Sequence, residues 1–122
     1  MQRMVAEITK TLVDAVRPRM RACDINALNN LEWEKRGYDY DRKINWGGGR
    51  IGHGLGWGSC VTEPPHIAAY DTTEIRPGMV FTIEPDINAE YGTFQTEMDI
   101  VVTEDGCEVL NEMDRELRII PI

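Results

Sequence analysis

Arg76-Pro-Gly-Met-Val-Phe-Thr-Ile-Glu-Pro85 is the stretch on which the reading of this chain turns. Pro77-Gly78 is a turn pair, because proline pre-sets φ at one central position and glycine accepts the conformations that follow. Met79-Val-Phe-Thr-Ile83 is then a short apolar run with β-branched and aromatic side chains, which predicts a strand. Pro85 ends it, having no N–H to give a ladder. Glu84 is thereby left at the end of an apolar strand, where a carboxylate is costly to bury unless it is paired or bound to a metal.

Downstream, Thr96 to Val102 predicts a second strand. Alternation places Glu97, Asp99 and Val101 on one face of it and Thr96, Met98 and Ile100 on the other. Glu104-Asp105-Gly106 is a turn, and Cys107 to Leu110 predicts a third short strand hairpinned to the second. Upstream, Pro64-Pro65 and Asp71-Thr-Thr-Glu74 read as loops. Trp46-Gly-Gly-Gly-Arg50 reads as a loop leading into the stretch from Ile51 to Gly58. Within that stretch His53 sits in Gly52-His-Gly-Leu-Gly56, where missing side chains leave room for a ligand or substrate to reach the imidazole.

Two helices open the chain. Met1, Met4, Val5, Ile8, Leu12, Ala15 and Val16 recur at three- and four-residue intervals as far as Pro18. A second helix is expected after Asp24, an N-cap residue type, with Ile25, Leu28 and Leu31 on one face and Gly37 as its stop.

Bulk composition narrows the function classes. With 122 residues, 42% hydrophobic and 28% charged, the chain fits one domain spanning residues 1–122. A net charge of -8, from 13 basic and 21 acidic residues, argues against nucleic acid or an anionic membrane as partner. No apolar stretch approaches the roughly 20 residues a membrane span needs. Cys23, Cys60 and Cys107 form no CxxC motif and no signal-peptide pattern precedes them, so reduced thiols in a cytoplasmic protein are expected. Cys60 has no His and acid arrangement around it in the sequence that would mark a nucleophile.

Taken in order, Gly52-His-Gly-Leu-Gly56, Glu63-Pro-Pro65, Arg76 to Pro85, Glu97 and Val102-Thr-Glu-Asp-Gly106 resemble the pita-bread metallopeptidases. These include methionine aminopeptidases, Xaa-Pro aminopeptidases, prolidases and creatinase-type hydrolases. The resemblance is specific from about Ile51 to Leu110 and covers the two helices more weakly. It implies an α+β fold, the C-terminal half of a pita-bread, with two helices on one face of a curved, mostly antiparallel sheet. His53, Glu84 and Glu97 become metal ligands by the same carry-over: His53 and Glu84 terminal, Glu97 bridging. His53 and Glu84 are then also the catalytic residues, with Glu84 helping to move the proton. The implied cofactor is a divalent metal, and imidazole and carboxylate ligands suit manganese, cobalt, zinc or iron without choosing among them. Two ions about 3.5–4 Å apart would activate a shared water for peptide hydrolysis.

The pattern is broken in two places. The family's other two ligands are Asp residues on strands before the first helix, and this sequence opens with that helix. Asp14, Asp24, Asp39 and Asp41 lie in or after helical segments, so three of five ligands are expected here. The missing half, or a second copy of the chain, is then the expected partner besides a peptide substrate. Secondly, a substrate-contacting histidine of the family is replaced by Thr62, or by Cys60 if no gap is allowed. His66 is a candidate for that role, and Trp57 for lining the substrate pocket. The function expected is the catalytic portion of an Xaa-Pro aminopeptidase or dipeptidase. The alternatives are a non-catalytic peptide- or protein-binding module, and a relative with small-molecule hydrolase or lyase chemistry.

Overall fold

The structure is a computed structural model that describes residues 1–40, 49–56 and 63–121. Two helices come first, α1 over Gln2–Ala15 and α2 over Ala22–Glu34. The strands are β1 (Arg50–Gly54), β2 (Glu63–Ala68), β3 (Val80–Ile83), β4 (Asp86–Ala89), β5 (Gly92–Gln95), β6 (Met98–Val102) and β7 (Cys107–Val109). Antiparallel pairing arranges five of them in the order β2-β1-β3-β6-β7, and β4 and β5 form a separate hairpin. The expected α+β architecture is present, with β3 at the centre of the sheet.

The core lies between the helices and one face of this sheet. Val5, Ile8 and Leu12 of α1 meet Ile51, Ile67, Phe81, Ile83, Ile100 and Val102 from the strands in one buried cluster. Alternation is clean on the two central strands. Phe81 and Ile83 of β3, with Met98, Ile100 and Val102 of β6, point to the helices, leaving Thr82, Asp99 and Val101 for the other face.

Helix α1 ends at Ala15, one residue before the Val16 that the periodicity reached, because Val16 is already extended (ψ 127°). The start of α2 differs from expectation. Its N-cap is Arg21, and Asp24 sits in the first turn, where Oδ2 accepts the Arg21 N–H at 2.8 Å. Arg21 is held extended by a bridge to Glu74, so the helix begins before Asp24 is reached. Leu31 is also misplaced by the sequence reading: it is 45% exposed. The buried face runs through Ile25, Asn29 and Trp33 instead, with the Trp33 indole N–H donating to Asn29 Oδ1 at 3.1 Å. Gly37 stops the helix region with φ +83°, the left-handed conformation that favours glycine.

Pro64 and Pro65, read as loop from sequence, belong to β2. This is an edge strand, where missing N–H groups are tolerated. Asp71 anchors the chain beyond it, accepting the His66 N–H at 2.6 Å and the Thr73 N–H at 2.8 Å. Burial would raise the Asp71 carboxyl, but these hydrogen bonds and the Thr73 hydroxyl outweigh it and hold the group below its ordinary value. No described helix is long and apolar enough to cross a membrane.

Candidate metal centre

His53 owes its position to an irregularity in strand pairing. Arg50 pairs with Ala68 and His53 with His66, so β1 advances three residues where β2 advances two. One extra residue on β1 is a β-bulge, and it reverses which face the following side chain takes. Ile51 therefore points into the core while His53 emerges on the opposite face. The stretch read as a glycine-rich approach to the imidazole is in fact strand β1, and its glycines serve the sheet. A Cβ on Gly52 would lie 2.0 Å from the Thr82 carbonyl oxygen, and one on Gly54 would lie 2.1 Å from that of Pro64. They are absent side chains between strands, and not a vestibule for a ligand.

The bulge leaves the His53 N–H without a ladder carbonyl, and the buried Thr82 hydroxyl accepts it at 3.1 Å. Thr82 in turn donates to Glu84 Oε1 at 3.0 Å. Glu84 follows directly on β3, its own N–H fixed to the Ile51 carbonyl at 2.8 Å. On its far side the Gln95 amide donates to Glu84 Oε2 at 3.1 Å, because the β4-β5 hairpin folds Gln95 back opposite Asp86. Both carboxylate oxygens are thus held by neutral donors. The outcome is that His53 Nε2 and Glu84 Oε1, from different strands, stand 3.3 Å apart.

The other ring nitrogen of His53 is anchored to the main chain. Nδ1 lies 2.9 Å from the Gly54 carbonyl oxygen, which can only accept, so Nδ1 carries the proton. Nε2 is then the ring nitrogen that faces the carboxylate, and a proton on Nε2 or a shared cation makes the contact favourable. Two donors each about 2.1 Å from one ion, at bond angles between about 90° and 110°, lie about 3.0–3.4 Å apart, which is the observed spacing class. An imidazole whose remote nitrogen is anchored to a backbone carbonyl is also the usual outer-shell arrangement of a metal ligand. The pair fits a divalent cation in spacing, tautomer and donor type.

Glu97 is placed less closely. It precedes β6, so it is not inside a strand as the alternation suggested, and its side chain is exposed. Asn111 clamps the backbone here, donating to the Glu97 carbonyl at 3.0 Å and accepting the Asp99 N–H at 2.8 Å. Among the described residues, no group of three His, Cys, Asp or Glu side chains is arranged to hold a metal ion. Glu97 nonetheless lies within electrostatic reach of the pair. Partial burial, then the charges of Glu84 and Asp99, push its carboxyl above the ordinary value, against the pull of His53.

A carboxyl raised in the fold binds its proton more tightly folded than unfolded, so its contribution falls as pH rises through and above its ordinary value of 4.5. In the absence of metal, Glu97→Gln is expected to be the more stable protein near pH 7, by a few tenths of a kcal/mol for so exposed a group, with no advantage near pH 3. Urea midpoints of both proteins at the two pH values check this. A destabilised Gln variant at neutral pH would show that Glu97 is not held among like charges.

Of the expected substrate-contacting residues, Trp57 and Thr62 lie outside the described residues, as does Cys60. His66 is the cross-strand partner of His53, with a buried Nδ1 that has no hydrogen-bond partner among the described residues. Thr82 and Gln95 were not anticipated. A threonine inside an apolar run is unremarkable for a strand, and Gln95 gains its role only through the β4-β5 hairpin.

The model of metallopeptidase family M24 matches residues 1–104. An Xaa-Pro dipeptidase of Pyrococcus furiosus is 34% identical over 115 residues, covering 93% of this chain and 31% of that protein. Among solved structures, the prolidase from Pyrococcus horikoshii superposes with a TM-score of 0.81 at 30% identity, covering 96% of this chain and 32% of the prolidase. The Xaa-Pro dipeptidase from Bacillus anthracis superposes with a TM-score of 0.82 at 28% identity, over 98% of this chain and 32% of that one. The chain spans about a third of the length of the curated relatives it matches.

Proposed function

Because this chain belongs to metallopeptidase family M24, we propose that it carries the metal-binding portion of an Xaa-Pro-type exopeptidase, in which His53, Glu84 and Glu97 hold a divalent cation for peptide-bond hydrolysis. One observation carries the reading: the imidazole Nε2 of β1 and a carboxylate oxygen at the end of β3 held 3.3 Å apart. His53 binds through Nε2 and Glu84 through Oε1. Glu97 would supply the third donor, a cation there offsetting the repulsion it feels from Glu84. Manganese, cobalt, zinc or iron suits this donor set, and such a cation polarises a scissile carbonyl and makes a water more acidic. Glu84 has the further task of taking up a proton from the attacking water, its orientation kept by Thr82 and Gln95. His66, with Thr62 and Trp57, contacts the substrate.

A two-ion site needs two more carboxylates. Asp24 is committed to the start of α2 and Asp14 lies beside Arg17 and Gly106, at the far end of α1. In this reading the extra Asp ligands would come from a further segment or a second copy of the chain. Cys23 and Cys107 as free thiols accord with a cytoplasmic setting.

The test is hydrolysis of Xaa-Pro dipeptides with Mn²⁺ or Co²⁺, by this chain alone and mixed with a chain supplying two strand-borne Asp residues. Cleavage is expected in the mixture. Absence of cleavage in both arms counts against the reading. A second reading, a non-catalytic peptide-binding module, draws on the lack of a preformed three-donor group among the described residues. Peptide binding by a purified chain free of metal would favour it.

A further inference from the structure

We propose that Thr82 is a positioning residue that couples the two metal-binding side chains, an inference that rests on the metal reading above. Its hydroxyl has one proton and two engagements. It accepts the His53 N–H at 3.1 Å and donates to Glu84 Oε1 at 3.0 Å. The first engagement fixes the direction of the second, since an oxygen that is accepting from an N–H has its own proton free only for the carboxylate. Glu84 Oε1 is the same atom that stands 3.3 Å from His53 Nε2. One buried hydroxyl therefore ties the main chain of one ligand to the side chain of the other.

The need for this device follows from the bulge. Turning His53 to the open face takes its N–H out of the ladder, and a buried N–H is not left unpaired without a large penalty. A hydroxyl on β3 answers that N–H and converts the defect into a link between strands. Thr82 is fully buried, with a β-branched side chain that has few rotamers, so the link is rigid. Gln95 holds the other carboxylate oxygen at 3.1 Å, so Glu84 is restrained from both sides, and Thr82 adds to the direct His53–Glu84 contact a link from the carboxylate to the His53 main chain. Thr82 contacts neither cation nor substrate in the proposed site.

Thr82→Val keeps shape and strand propensity and removes the hydroxyl, whereas Thr82→Ser keeps the hydroxyl. Calorimetric titration of the full chain with Mn²⁺ is expected to show affinity about 10–100-fold weaker for Val, the range for outer-shell partners of metal ligands, with Ser close to wild type. Hydrogen exchange at the His53 amide is expected to accelerate in Val and not in Ser, with or without metal. Should Val fail to fold, Thr82→Ala removes the hydroxyl without setting a methyl against Glu84 and reads the same two quantities. A folded Val or Ala variant with wild-type affinity overturns the role of Thr82 and leaves the metal reading standing. A wild-type chain that binds no Mn²⁺ overturns the metal reading and this inference with it.

Discussion

Gly54→Ala is expected to cost at least about 3 kcal/mol and to leave little folded protein, the upper end of what overpacking does. The added Cβ would lie 2.1 Å from the Pro64 carbonyl oxygen, 2.7 Å from its carbon and 2.9 Å from the Glu63 carbonyl oxygen. All three are backbone atoms of β2, and they cannot retreat without parting β1 from its neighbour. The strand that carries His53 would lose its edge partner. Gly56→Ala is the control, since its Cβ meets only the Glu63 carboxylate, 2.7 Å away at the end of a flexible side chain. Urea denaturation should find Gly56→Ala near wild type and Gly54→Ala largely unfolded without denaturant. Equal midpoints for the two would mean that β1 and β2 do not approach as described.

The second large effect concerns metal. His53→Ala removes the only imidazole of the pair and leaves a cation at this place with carboxylate donors alone. Its affinity for Mn²⁺ should fall by more than the roughly 10–100-fold typical of outer-shell substitutions. Glu84→Ala should do the same. Glu32→Ala serves as the contrasting carboxylate: it is paired with Lys35 at 2.6 Å and Arg36 at 2.7 Å on α2, and those pairs hold its carboxyl below the ordinary value. Metal affinity in that variant should be unchanged. Loss of affinity in all three would point to general unfolding, and loss in none would remove His53 and Glu84 from the site.

Much of the fold was legible because it rests on apolar alternation and helical periodicity. Met79 to Ile83 and Thr96 to Val102 announced the two central strands, and the faces assigned to Met98, Ile100 and Asp99 are those observed. Strands β1, β2, β4 and β5 were not foreseen. They pair through glycines, prolines and polar residues, and their stability comes from backbone contacts that leave no apolar signature. The trace for the hairpin was small, Ile87 opposite Phe94 across a polar turn. Trp33 was passed over because Asn26 and Asn29 share its face, although Asn29 is buried there to satisfy its indole.

At the candidate site, His53 and Glu84 could be named from residue type and local frame, and by resemblance, and the fold brings them together. What the sequence hid was the means. A bulge depends on the register between two strands, which residue order alone does not reveal, and without it His53 would share the core face with Ile51. Thr82 and Gln95 acquire their roles from that register and from the hairpin. Glu97 was assigned to a strand interior and lies instead just ahead of β6, which explains its exposure and its looser relation to the pair.

In the proposed site His53 and Glu84 share one divalent cation. Crystals of the protein grown with Mn²⁺ and measured for anomalous scattering test it most directly. A peak bonded to both His53 Nε2 and Glu84 Oε1 is expected, with the Glu97 carboxylate drawn toward it. A map with no peak there, or with manganese only at carboxylates elsewhere such as Asp14 and Asp105, would contradict it.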